Sequence, residues 1–391
     1  GMAPARRIKG RYAHHNTLGL VRSLGEKGIR PILLLEPCDL KFCCVRFSKY
    51  ISKMHYLKSV EDGLEVLKKE YWNEKEKPVV LNAGDPSICL LDAHYDALKD
   101  KFCIFNARGE QGRINYFMDK SNQFQLAERC GLNLIKTWRV NSQCELPSDM
   151  IYPCLTKGNN STGSGKGDMC ICRNVNELKA CLRDGVDYLV QEYVERDYEL
   201  CAIGFSWNHG QDMLVPAIVR KIRDYVNENG IPSEGSYMRL ESLEDYPLVN
   251  LDAIRNFMQQ VGYEGMFDVD FIVKDGVCYF LEVNFRNDAI SYICTAAGVD
   301  LPYMWCCYCL GGIDDGFVAK IKCNTPFIMM NEDNLYDVFD GKVGMMRWLR
   351  EYLSADAHVY MNVRDPKPFL FYMWVHVRQM CKKIVRGILA V

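Results

Sequence analysis

The chain has 391 residues, 48% of them hydrophobic and 25% charged, with a formal net charge of −2. That length suits two or three domains with a large core, and the near-neutral charge gives no overall nucleic-acid footprint. The longest apolar run, near Phe369 to Val375, is too short to cross a bilayer.

The first residues are basic (Arg6, Arg7, Lys9, Arg11) with no apolar core behind them, so they do not read as a secretory signal. The 19 cysteines are many for a chain of this length. Many stand in apolar contexts, as at Cys201, Cys278 and Cys294, where a thiol packs as a small hydrophobe. Cys170-Ile171-Cys172 and Cys306-Cys307-Tyr308-Cys309 invite a metal reading, but no paired Cys/His set completes a site. A reducing, cytoplasmic setting is expected.

Residues 1–115 read as an α/β domain. Thr17 is placed to cap a helix from Leu18 to Lys27, stopped by Gly28. Ile29–Leu35, Val79–Asn82 and Phe102–Phe105 read as buried strands. Between the last two, Asp85 caps a helix with Pro86 in its first turn, running to about Lys99. Strand–helix alternation implies a parallel sheet. Its first strand belongs before Thr17, but the basic stretch there is poor in β-branched residues and gives it no place.

Residues 116–190 read as a smaller unit. Asp119 caps a helix from Lys120 to Cys130, closed by Gly131. A strand from Ile151 to Thr156 ends in Lys157 and runs into Gly158–Asp168, GNNSTGSGKGD. Successive backbone N–H groups in such a loop cradle phosphate oxygens. It is not a P-loop, because Lys166 is followed by Gly167 and Asn160 stands where the first glycine belongs. Strands follow at Tyr188–Val194, Glu199–Ser206 and Met213–Val219, then a helix from Asn250 to Val261 stopped by Gly262.

Gly262–Arg286 then reads as two strands joined at Asp275-Gly276, with acids where a half-buried strand normally carries valine. A two-residue turn pairs Lys274 with Val277 and sends Asp270 and Glu282 to opposite faces. A three-residue loop pairs Val273 with Val277 and puts Asp268, Asp270, Glu282 and Asn284 on one face. Carboxylates crowded on one dry face repel unless a cation sits among them, and oxygen donors favour Mg2+ or Mn2+. The three-residue loop is expected, because it alone gives the acids a purpose. After an apolar helix toward Trp305, the tail from Phe369 carries Arg378, Lys382, Lys383 and Arg386 at near-helical spacing. A helix docked on the body is favoured over one lying on a membrane surface through residues 369–391.

The order Lys120, Lys157, glycine loop, Gln191-Glu192-Tyr193-Val194, Glu199, then Asp270, Glu282 and Asn284 resembles the ATP-grasp superfamily of carboxylate–amine ligases. The likeness covers about residues 110–310. Gly84-Asp85-Pro86, Asp119-Lys120 and Phe280–Asn287 are similar to predicted carboligases and D-aspartate-ligase-like proteins. The fold this implies is α/β, in the α+β manner of ATP-grasp. A Rossmann-like domain (1–115) precedes a lid subdomain (116–190) and a metal-bearing subdomain (191–315), with a helical extension over 316–391. The resemblance gives Lys120 and Lys157 to the α- and β-phosphates of ATP. Gly163, Ser164, Gly165 and Gly167 would cover the phosphates. It gives Gln191, Glu192, Tyr193 and Val194 to adenine and Glu199 to the ribose. Asp270, Glu282 and Asn284 would hold Mg2+ or Mn2+, and Lys221 would reach the γ-phosphate. Arg286, Arg220 and Arg223 are candidates for the substrate carboxylate or the tetrahedral intermediate. Asp268 stands near the first metal acid, where some members of the family carry an arginine.

The implied reaction joins a small-molecule carboxylate to an amine through an acyl phosphate, with cell-wall or capsular building blocks among the open substrates. A homodimer is a family-level expectation. The alternative is a non-catalytic nucleotide-binding scaffold, membrane-associated through its tail.

Overall fold

A computed structural model describes residues 14–389, apart from 37, 39, 144, 159–168, 227–231, 313–320, 333, 334, 336, 337, 339 and 340. The expected first strand and the glycine loop, with Gly163, Ser164, Gly165 and Gly167, therefore lie outside the described residues.

The described residues begin with α1 (His14–Glu26), followed by β1 (Ile32–Leu35), β2 (Lys53–Tyr56), α2 (Val60–Glu70), α3 (Asp85–Ala93) and α4 (Tyr95–Leu98). Thr17 lies inside α1, which starts earlier than its cap-like sequence suggests. The α3 cap is Gly84 and Asp85 is already helical, so the Asp85 carboxylate is released for another partner. β1 pairs in parallel with β2, a strand that the sequence reading did not place. Val79–Asn82 and Phe102–Phe105 do not extend into strands and meet only in a parallel bridge between Val79 and Cys103. A cavity of about 720 Å³, lined by Leu33, Leu35, Val79 and Leu81 among others, lies beside them.

Next come β3 (Asn106–Ala107), α5 (Arg113–Met118), α6 (Lys120–Arg129), β4 (Asn133–Leu134), β5 (Thr137–Asn141), β6 (Cys154–Gly158), β7 (Ile171–Cys172), α7 (Val175–Cys181) and β8 (Asp187–Glu192). Asp119 caps α6 through the N–H groups of Ser121 and Asn122. Strands β5–β8 form a four-stranded sheet in the order β5-β8-β6-β7. Its core gathers Trp138, Val140, Cys154, Cys172, Tyr188 and Val190.

The larger sheet is built from β9 (Tyr198–Trp207), β10 (Asp212–Leu214), β11 (Ile218–Val226), β12 (Pro232–Glu241), β13 (Tyr263–Lys274) and β14 (Val277–Asn284), with α8 (Leu251–Val261) between β12 and β13. Then follow α9 (Tyr292–Ala296), α10 (Leu301–Cys309), β15 (Phe327–Met330), α11 (Met345–Ser354), β16 (Ala357–His358) and α12 (Lys367–Leu389). The strand order is β16-β15-β12-β11-β9-β13-β14-β4. One face is covered by α6 and α8. The buried ring of Phe280 there meets Phe124 of α6, Phe257 of α8 and Phe271 of β13. Burying a side chain of this size contributes about 1.5–3 kcal/mol.

The hairpin corrects one expectation and keeps its consequence. Lys274 pairs with Val277, so the turn has two residues, not three. Asp275 and Gly276 both take positive φ, 48° and 76°, the conformation such a turn requires. The acids nevertheless share a face, because the register shifts between Phe271 and Asp270. Phe271 pairs with Phe280, whereas Asp270 pairs with Glu282 and Asp268 with Asn284. A bulge at Leu281 makes the one-residue slip that the turn does not.

The tail is a helix docked on the body, as favoured. Tyr372 stacks on Tyr360 at 4.2 Å and Phe371 meets Phe47 at 4.5 Å. Just before the helix, Asp365 is buried against the equally buried Arg22 at 3.3 Å. Arg22 also donates to the carbonyls of Val359 and Tyr360, and Asp365 accepts from Ser48 and the Lys49 N–H. This staple ties the end of the chain to its first helix.

Candidate active site

The sheet face opposite Phe280 carries the acids. Pairing puts Cys201 opposite Asp270, and Lys221 opposite Glu199, on that same face. Five strand positions from the candidate set thus converge: Glu199, Lys221 and Asp270 through alternation, Glu282 and Asn284 through alternation and the bulge at Leu281.

Lys120 arrives from α6, and the helix is held in place by an amide. Gln123, one turn along, is buried; its Nε2 donates to the Val283 carbonyl and its Oε1 accepts the Val283 N–H, both at 2.9 Å. The side chain behaves like a short strand docked on β14, next to Glu282. Lys120 Nζ then lies 2.5 Å from Glu282 Oε2. Burial works against this ammonium, but Glu282, with Asp85 and Asp270, holds it above the ordinary lysine value.

Lys157 lies inside β6 rather than at its end and is buried. Burial first, then the Lys120 ammonium, pushes it down to about 8. Glu282, Asp270 and Glu199 offset part of that cost, and an anion bound between the two lysines would offset more of it. Lys221 Nζ is 2.8 Å from Glu199 Oε2 and 3.8 Å from Asp270 Oδ1. Glu199 is also held by Arg196 at 3.0 Å.

The acid cluster gathers side chains that could hold a cation. The Asn284 amide donates to Asp268 at 3.3 Å and to Asp270 at 3.4 Å. Cys201 donates its thiol proton to Asp270 Oδ1 at 3.0 Å. Burial, then Asp270, keeps that thiol far above the usual range, so it remains a donor. Ligand atoms of Cys201, Asp268 and Asp270 lie within 4.8 Å of one another. Asp268 is 1% exposed and its Oδ1 has no hydrogen-bond partner among the described residues. An orphaned carboxylate oxygen beside a second carboxylate fits a hard divalent ion. Asp268, Asp270 and Glu282 would hold it, with Asn284 once its amide turns its oxygen inward.

The arginines separate. Arg286 reaches the site and is fixed by Asp85 at 2.5 Å and Asp288 at 3.7 Å, with a bond to Asn284 Oδ1 at 3.4 Å. Arg220 is not brought there: strand alternation turns it to the opposite face, over the Tyr198 ring and against the Tyr246 hydroxyl. Arg223 is engaged by Glu351 and Ser236.

Gln191 is buried and donates to Thr137 at 3.1 Å. The N–H groups of Glu192 and Tyr193 go to the carbonyls of Lys136 and Pro153, each at 2.9 Å. Those two N–H groups are therefore spent within the protein, and Val194 follows them as the chain leaves the sheet. Sequence reasoning missed Cys201, Gln123 and Asp85. Cys201 was legible, since it shares parity with Glu199. Asp85 was not, for it stands 201 residues from Arg286.

No family model matches the chain. It is 25% identical over 257 residues to the carbamoyl phosphate synthase large chain of Clostridium beijerinckii, covering 62% of this chain and 22% of that protein. It is 25% identical over 227 residues to the formate-dependent phosphoribosylglycinamide formyltransferase of Wolinella succinogenes, covering 54% of each. The chain thus spans between 22% and 54% of the length of these relatives. Among solved structures it is similar to an L-amino acid ligase from Bacillus licheniformis. There the TM-score is 0.60 at 13% identity, over 79% of this chain and 75% of that one. It is also similar to the N5-carboxyaminoimidazole synthetase of Staphylococcus aureus complexed with ADP. That match has a TM-score of 0.59 at 14% identity, over 85% and 84% of the two chains. These likenesses agree with the two sheets: the chain has the ATP-grasp fold.

Proposed function

We propose that the protein is an ATP-dependent ligase that joins a carboxylate to an amine. The observation that carries this reading is the meeting of Lys120, Lys157 and Lys221 with Asp268, Asp270, Glu282 and Asn284 on one sheet face. Cations that neutralise phosphate and acids that hold a divalent ion are what phosphoryl transfer needs. When bound, Mg2+ would lower the charge barrier between two anions.

In this reading a substrate carboxylate oxygen attacks the γ-phosphorus and the bond to ADP breaks, giving an acyl phosphate. The amine nitrogen then attacks the acyl carbon, the C–O bond to phosphate breaks, and the amine proton passes to phosphate or water. The chain's part is to place charges. Lys120 and Lys157 receive the phosphate oxygens, and Lys221 exchanges Glu199 for the transferred group. Glu199, freed of Lys221, takes the ribose hydroxyls. Arg286, set by Asp85, offers its fork to the tetrahedral oxyanion. A direct transfer of this kind needs no side-chain nucleophile.

Hydroxylamine trapping tests it. Protein, Mg-ATP and hydroxylamine are incubated with a panel of amino and hydroxy acids, and hydroxamate and ADP are followed together. Matched hydroxamate and ADP for one acid supports the ligase and identifies the carboxylate. ADP alone indicates a kinase or a hydrolase, and neither product, with ATP binding verified, favours the scaffold reading.

A further inference from the structure

The function above leaves α12 unused. Its docked side is clear: Tyr372, Val375 and His376 are buried. Its other side carries an apolar stripe, with Leu370 61%, Trp374 54% and Val377 52% exposed. These residues recur at the four- and three-residue spacing of one helical face. In the sequence, Cys381, Ile384 and Ile388 continue the same spacing. Large apolar side chains are rarely left in water in a row.

Charge says what covers them. Over Lys367–Leu389 the sequence holds Lys367, Arg378, Lys382, Lys383 and Arg386 and no acidic residue. The Arg378 guanidinium lies over the Trp374 ring, 5.3 Å from its centroid, so cation and aromatic present together. A second copy of the helix brings the same positive charges and is repelled. No helix among the described residues is long and apolar enough to cross a membrane. An apolar stripe, a tryptophan and purely basic flanks are the composition of a helix lying in an interface.

We propose that α12 binds in the plane of an anionic membrane surface. Leu370, Trp374 and Val377 enter the boundary between headgroups and acyl chains, and the exposed Lys367 and Arg378 meet lipid phosphates. The docked side stays on the body, so binding needs no unfolding of the helix.

The test is flotation of the full chain with phosphatidylcholine vesicles, with and without about 30% phosphatidylserine. The chain is expected to float with the anionic vesicles and stay behind with the neutral ones. The combined Leu370→Ser, Trp374→Ser and Val377→Ser variant is expected to lose about tenfold or more in partitioning, with its thermal midpoint unchanged. Vesicle-induced blue shift of tryptophan emission is expected to fall in Trp374→Phe. No flotation with anionic vesicles at physiological salt overturns the proposal. Equal flotation of the triple-serine variant overturns the insertion of the stripe. Self-association or capture of an acidic protein, abolished by the same serines without vesicle binding, assigns the face to that partner instead.

Discussion

Lys120 and Glu282 stand 2.5 Å apart and join the first turn of α6 to β14. Glu282→Gln removes the carboxylate charge proposed to hold the metal and the ion pair to Lys120 together. Turnover is expected to fall about 10²–10³-fold, while circular dichroism stays that of the wild type. Arg220→Gln is the control, since Arg220 lies on the far face; ADP release is expected to stay within about twofold of wild type. Wild-type turnover in Glu282→Gln removes the metal assignment.

Gln123 sets where Lys120 stands without touching any reacting group. Gln123→Leu leaves both backbone groups of Val283 without their partner. We expect KM for ATP to rise more than kcat falls, and Gln123→Glu to restore little, since a carboxylate cannot donate to a carbonyl. Steady-state kinetics on the variants decides it.

Lys157 gives a pH dependence with a definite sign. Its folded-state value, about 8, lies below the ordinary 10.5. Between these values the folded chain holds fewer protons than the unfolded one, so this group makes stability rise with pH across that window. Below pH 8 the buried charge costs the ligand-free fold. Lys157→Met is therefore expected to raise stability at pH 7 by about 2 kcal/mol and to lose nucleotide binding. Wild-type affinity for ATP is expected to fall as pH rises through about 8. Calorimetry at pH 7 and pH 9 measures both.

Asp268 shares a buried space with Asp270 and Asp288, and burial, then Asp270, holds its carboxyl well above the usual range. Asp268→Asn relieves that crowding. The metal-free protein is expected to melt higher, and Mn2+ to bind at least about tenfold more weakly. Unchanged Mn2+ affinity removes Asp268 from the site.

Asp365→Ala leaves the Arg22 guanidinium buried beside carbonyls alone. A loss of about 3–5 kcal/mol is expected in urea unfolding. The double variant with Arg22→Met is expected to recover part of it.

Periodicity and capping made several elements legible. Asp119 capping α6, Gly262 ending α8 and the alternation of β9, β13 and β14 were all written locally, because caps and pleats depend on near neighbours. The hairpin shows where that ends. Its turn type is local, and Asp275-Gly276 specifies it, but the bulge at Leu281 follows from packing. Phe280 is held on the core face by three rings, while Glu282 faces the lysine from α6. Both demands are met only by inserting a residue between them.

What the sequence by itself determined was the inventory: three lysines, the D…E-x-N set, and the strands and caps that carry them. Only the tertiary structure decided which arginine stands beside the acids, what Asp85 pairs with, and how the segment before α12 is anchored. Those depend on pairs far apart in the chain, Asp85 with Arg286 and Arg22 with Asp365. A long-range ion pair leaves no local periodic trace, because either partner alone reads as an ordinary surface charge.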